Sequence, residues 1–224
     1  MARRLAQTLR TSAILAVAAA TLLAVSAGAA TAGERTASLG APLPSIGQPV
    51  YVAVGEPTRS PIGWVDFCLE NKTECATTPS APRDVVLTGK AWTDLVKVNA
   101  WVNEAIKPMT DIEHWGVVER WSYPDDGYGD CEDYVLLKRR MLMQAGWPRE
   151  ALLITVVRDK KGDGHAVLTV KTNRGEFILD NQVPEILAWN ETGYKFVKRQ
   201  SQSDPNQWVL LGEPRLAPPM VSAR

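Results

Sequence analysis

Cys131, His165 and Asp180 are the residues whose types and spacing could do chemistry together. Cys131 stands in Gly-Asp-Cys-Glu-Asp-Tyr, residues 129–134, where a turn gives way to a helical pattern. A thiol there meets the positive end of a helix dipole, which favours the nucleophilic thiolate. Such a nucleophile needs a base to take its proton and a third group to orient that base. The chain offers two histidines. His114, between Glu113 and Trp115 in a connector, reads as a surface or packing residue. His165 opens a strand directly after Gly164, and Asp180 ends the next one. If Thr172 pairs with Gly175 in the hairpin between them, Val167 pairs with Asp180, and His165 and Asp180 share a face. A slip of one residue would put them on opposite faces. The shared-face register is the expectation. In that register Asp180 accepts one ring N–H of His165, His165 serves Cys131, and N–H groups at the helix start stabilise an oxyanion.

The acids near Cys131 work against a thiolate. Asp130 and Glu132 flank it, Asp133 follows, and Asp125 and Asp126 precede it closely. Unneutralised carboxylates raise a thiol pKa. Two readings stand side by side here. In one, Asp130 is a helix N-cap and the acids of the first turn complement the dipole. In the other, the oxygens bind a hard cation such as Ca²⁺, although the spacing is not that of an EF-hand loop.

The compartment follows from the first residues. Arg3, Arg4 and Arg10 precede an apolar run from Ser12 to Val25, and Ala30-Thr31-Ala32 offers a cleavage site: a signal peptide over 1–32 and a periplasmic destination. The run is short for a membrane span, so no stable membrane insertion is expected after cleavage. Of 25 Lys+Arg and 25 Asp+Glu, cleavage removes three arginines and no acids. The mildly acidic remainder carries no electrostatic footprint for nucleic acid. In an oxidising compartment, three cysteines suggest one pair and one free thiol. Cys68 and Cys75 sit in one polar loop and form the expected disulfide, leaving Cys131 over.

The elements that must position these residues are legible in part. Residues 33–87, punctuated by Pro42, Pro44, Pro49, Pro57 and Pro61, read as an irregular arm draped over the core. Tyr51–Val54 could form a short edge strand, and the stretch from Trp64 to Phe67 should pack on the main domain. Thr88 is a plausible N-cap for a helix running to Pro108, with Trp92, Leu95, Val96, Val102 and Ile106 at helical spacing. Residues 109–129 read as a connector. A second helix from Cys131 to Ala145 is apolar on two faces, hence central, and stops at Gly146. Strands are expected over 152–157, 165–172, 176–180, 194–200 and 208–211. Helices followed by hairpin-linked strands give an α+β domain, residues 88–213, with an antiparallel sheet; 214–224 reads as a tail.

At these residues the chain resembles the bacterial transglutaminase-like cysteine proteinases, whose best-known members are LapG-like periplasmic proteases. The likeness lies in Gly-Asp-Cys-Glu-Asp-Tyr at 129–134, Gly-His-Ala-Val-Leu at 164–168 and Leu-Asp-Asn at 179–181. Trp115-Gly116 and Glu119-Arg120-Trp121 add to it upstream, and it runs from Thr88 to Leu211 without the arm. The resemblance implies a papain-like, transglutaminase-like fold, with Cys131 as nucleophile, His165 as base and Asp180 as orienting acid. It also implies that Asp130 and Glu132 bind Ca²⁺ needed for activity. For such relatives the substrate is a protein, a biofilm adhesin, and the regulatory partner is a cyclic-di-GMP receptor in the inner membrane. This chain reads His-Ala-Val-Leu where those proteins read His-Met-Val-Leu, and its arm and its loop at 160–164 look different.

The sequence therefore points to an exported, calcium-assisted cysteine endopeptidase acting on protein or peptide substrates. Acyl transfer to an amine, by a transglutaminase or an amidase on cell-wall peptides, uses the same acyl-enzyme. A non-catalytic periplasmic binding module would keep the fold alone.

Overall fold

A computed structural model describes residues 42–44, 48–76 and 79–212. The expected signal peptide and the tail at 214–224 lie outside them. In chain order the elements are β1 (Ala53–Thr58), α1 (Ile62–Glu70), α2 (Lys72–Cys75), α3 (Gly89–Ala105), β2 (Lys107–Pro108), α4 (Asp111–Trp115), β3 (Tyr128–Gly129) and α5 (Cys131–Gln144). There follow β4 (Leu152–Arg158), β5 (Gly164–Thr172), β6 (Gly175–Leu179), β7 (Leu187–Ala188), β8 (Lys195–Gln200) and β9 (Trp208–Gly212).

The strands β1-β9-β8-β4-β5-β6-β7 lie side by side in that order in one seven-stranded sheet. Each neighbouring pair is antiparallel. α3 starts where Thr88 accepts a hydrogen bond from the Ala91 N–H at 3.1 Å, and Trp92, Leu95, Asn99 and Val102 form its buried stripe. Pro108 follows shortly after, where it can no longer break a helical hydrogen bond. α5 ends as its apolar pattern does. Gly146 adopts φ +89°, and the Trp147 N–H closes back on the Leu142 carbonyl at 3.0 Å.

α5 lies between two layers, which its two apolar faces require. Val135, Leu136 and Leu142 join the sheet residues Leu152, Ile154, Leu168 and Val170 in the main core. On the other side, Tyr134 and Leu137 pack with Val102 and Ile106 of α3 and its end. The fold is α+β, with the cysteine-bearing helix central and packed on an antiparallel sheet. It is the papain-like, transglutaminase-like arrangement.

The irregular arm over 33–87 needs correction. Its described part contains a strand and two helices, and it builds the core instead of draping over it. β1 is the sheet edge beside β9, starting two residues after and ending four residues after the expected Tyr51–Val54. α1 follows directly on Pro61, where a proline does no harm to a helix, and it buries Trp64 and Phe67 among Trp121, Tyr123 and Trp208. Cys68 and Cys75 are disulfide-bonded and tie α1 to α2. The connector over 109–129 likewise holds structure: α4, with a capping box between Thr110 and Glu113, and a two-residue parallel pairing of β2 with β3.

Candidate active site

The β5–β6 hairpin turns tightly through Asn173 and Arg174, with Gly175 at φ +114°, and Thr172 pairs with Gly175. In this register His165 and Asp180 meet. His165 Nε2 lies 2.8 Å from Asp180 Oδ1, and both side chains are buried. Asp180 receives more than the imidazole. The Gln182 N–H donates to Oδ1 at 2.9 Å, and the Tyr194 hydroxyl donates to Oδ2 at 2.7 Å. Burial alone would raise the Asp180 pKa. The His165 hydrogen bond and charge, with those of Tyr194 and Gln182, outweigh it and hold the carboxyl below its usual range. Tyr194 also sets its ring edge-on to His165, with centroids 5.8 Å apart. Nε2 is thus committed to Asp180, and the other ring nitrogen, Nδ1, has Gln182 Nε2 3.4 Å away.

Cys131, the free cysteine, opens α5 and lines a cleft of about 410 Å³ together with His165, Gly164 and Ala166. Trp121, Glu119, Ile62 and Lys198 form its other walls. The Ala166 N–H donates to Sγ at 3.4 Å, and Sγ lies 3.0 Å from Glu132 Oε2, to which the thiol donates. Burial, then the Glu132 carboxylate, pushes the Cys131 pKa well above that of an ordinary thiol. With Glu132 left as a bare acid, the sulfur keeps its proton.

Asp130 stands at the N-cap position of α5, yet its side chain makes no capping hydrogen bond. Its Oδ1 is buried without a partner. Instead, ligand oxygens of Asp111, Asp130 and Glu132 all lie within 4.8 Å of one another. Burial, followed by the charge of neighbouring acids, raises the pKa of both Asp130 and Glu132. Asp133, beneath them, is pushed up to about 8 by burial, even though the Ser122 N–H donates to its Oδ1 at 2.7 Å. Carboxylates forced together in this way, with Asp130 Oδ1 and Asp133 Oδ2 unpartnered, suit a hard cation with oxygen ligands. The capping alternative loses its defining contact.

Asp111 is the third acid, and sequence spacing did not reveal it. It is the first residue of α4, twenty positions before Cys131. It is brought to Asp130 by the β2–β3 pairing and held by the Arg120 N–H. Tyr194 and Gln182 were also missed, since neither carries a motif. His114, read as a packing residue, lies 2.7 Å from Asp126 through Nε2 and stacks on Trp115, outside the cleft.

A free cysteine leading a central helix packed on an antiparallel sheet is the arrangement of papain-like, transglutaminase-like cysteine peptidases. Over residues 54–215 the chain matches the bacterial transglutaminase-like cysteine proteinases (BTLCP), and it belongs to that family. The match takes in β1, α1 and α2, so the family likeness begins well before Thr88. Among curated proteins none matches. Similar solved structures include three of Legionella pneumophila LapG. The calcium-bound form is 27% identical, over 56% of this chain and 74% of that one, with a TM-score of 0.46. The EGTA-treated form is 28% identical, over 54% and 70%, with a TM-score of 0.45. A third is 28% identical, over 52% and 67%, with a TM-score of 0.44.

Proposed function

We propose that this cysteine peptidase is a calcium-assisted endopeptidase that cuts proteins through an acyl-enzyme on Cys131, with His165 as base and Asp180 as its orienting acid. The observation that supports the reading is the buried 2.8 Å contact of Asp180 with His165, which lines one cleft together with Cys131. With Nε2 held by Asp180, Nδ1 takes the thiol proton. The thiolate attacks the scissile carbonyl, and N–H groups at the start of α5 receive the oxyanion. His165 returns its proton to the leaving amine, water enters, and hydrolysis frees the acid and the thiol.

Asp111, Asp130 and Glu132 are the residues that would hold calcium. When bound there, the ion supplies positive charge that offsets the carboxylates beside the thiol. Export to the periplasm is part of the proposal. It is supported by the arginine-led apolar segment at 1–32 and by the Cys68–Cys75 disulfide. Cell-surface proteins, adhesins among them, are the substrate class that this location favours. Among the described residues no helix is long and apolar enough to cross a membrane.

The test is mass spectrometry of new N-termini after incubating a periplasmic protein extract with the full chain, with calcium or with chelator. Cleavage products are expected from the wild type in calcium and from neither Cys131→Ala nor His165→Ala. Identical products from Cys131→Ala would refute the nucleophile. Incorporation of a labelled amine without hydrolysis would make the enzyme an acyl transferase instead.

A further inference from the structure

The cleft that holds Cys131 continues beyond its own walls. Glu119 and Trp121, which line it, also line a second cavity of about 330 Å³. The other walls of that cavity are Asp66, Phe67, Leu69 and Glu70 of α1, with Val117 and Arg120 of the segment after α4. α1 runs past both spaces. Ile62, in its first turn, borders the cleft, and Asp66 and Leu69, four and seven residues on, border the cavity. Trp121 is the sill between them. A Cβ at Gly63 would strike its indole, so a glycine lets α1 lie directly against the sill.

Most polar groups of the cavity already have partners in the protein. The Trp121 indole N–H donates to Glu119 Oε1 at 2.7 Å. Arg120 pairs with Glu70 at 3.6 Å and lies over the Trp115 ring, 4.5 Å from its centroid. The unmatched surface is apolar. Leu69 is 67% exposed and Val117 45%, with Ile62 at 64% on the cleft side. Single exposed apolar side chains need no explanation, but these border one groove that leads away from the nucleophile.

We propose that this groove is a substrate subsite: it takes an apolar side chain of the protein being cut, about three residues from the scissile bond, where the extended chain crosses Trp121. The proposal rests on the Cys131–His165–Asp180 reading above. An endopeptidase holds its substrate on both sides of the bond it cuts, so the chain must leave the cleft, and the shared walls make this groove continuous with it. Ile62 to Leu69 spans about 10 Å along the helix axis, at about 1.5 Å per residue. An extended chain, at about 3.3 Å per residue, covers that in about three residues. The carboxylates of Asp66, Glu70 and Glu119 surround the groove and disfavour an acidic side chain there, which leaves the apolar one as the complement.

The probe is a library of tryptic peptides from a periplasmic protein extract, incubated with the full chain in calcium and sequenced at the cuts by mass spectrometry. The wild type is expected to select an apolar residue at one position about three residues from the cut. Two peptides built on the best-cut sequence, differing only by Leu or Ser at that position, then give the discrimination in kcat/KM. The wild type should favour Leu by about 10–100-fold, and Leu69→Asp and Val117→Asp should each bring the ratio to about threefold or less. A merely structural role would slow both peptides alike and leave the ratio intact, and that result overturns the proposal. So does a cut-site profile with no apolar preference at that distance. If the variants keep the wild-type ratio but dissociate a dimer of the wild-type chain, the groove is an interface between copies and not a subsite. A wild type that cuts no peptide in the library is a different failure, that of the underlying reading, and the subsite falls with it.

Discussion

Asp180 accepts hydrogen bonds from an imidazole, a phenol and a backbone amide, each on a named oxygen. Because three donors fix one carboxylate, no single one should be indispensable. Tyr194→Phe removes the phenol and keeps the ring that stands edge-on to His165. Hydrogen bonds to charged groups contribute about 1.5–3 kcal/mol, so a loss of about tenfold or somewhat more in kcat/KM is expected. Loss of the base should cost about 10²–10⁴. Steady-state cleavage of a peptide substrate by Tyr194→Phe and His165→Ala separates these. Equal losses would mean that Tyr194 acts on the reacting atoms itself.

At the scale of the elements, the start of α5 depends on close backbone approach. A Cβ at Gly129 would lie 2.7 Å from Asp133 Cβ and Oδ2, against the carboxylate that holds the Ser122 N–H. Gly129→Ala should therefore destabilise the protein by about 1–3 kcal/mol, measured by urea unfolding, through overpacking. An unchanged midpoint would show that α5 can shift to make room. The main elements were legible because local and tertiary signals agree there. Thr88 caps α3, Gly146 stops α5, and two strand-forming runs flank Asn173-Arg174-Gly175, although the turn sequence alone left the hairpin register open. α1 and α4 were not legible. Helices of nine and five residues are too short to be stable by propensity and exist through packing. In α1 the buried Trp64 and Phe67, one turn apart, were the available signal. Asp111 joins Asp130 and Glu132 through chain pairing that no local pattern encodes.

For the whole molecule, the buried acids make stability depend on pH and on calcium. Asp130, Glu132 and Asp133 have raised pKa values in the folded state, Asp133 at about 8, burial being the first cause in each. Above the ordinary carboxyl range, about pH 4, the folded protein keeps protons that the unfolded chain releases. Their contribution favours folding below that point and is lost as pH rises through the folded values. Asp180 has the opposite sign, because its lowered pKa contributes stability above about pH 4 that is lost as pH falls through the folded value. In chelator, the melting temperature is expected to fall between about pH 5 and pH 8. Calcium should raise it more at pH 8 than at pH 5, and less in Asp111→Asn or Asp130→Asn. Thermal scans that rise towards pH 8 in chelator and ignore calcium would remove the cation from the account.

The central claim, that Cys131 is a nucleophile made reactive by His165, is tested most directly by iodoacetamide alkylation of the folded full chain at pH 6 in calcium. Wild-type Cys131 should react well below the ordinary thiol pKa of about 8.5, and His165→Asn should slow it by about a hundredfold or more at unchanged melting temperature. Equal rates in the two proteins, each no faster than an ordinary free thiol, would contradict it.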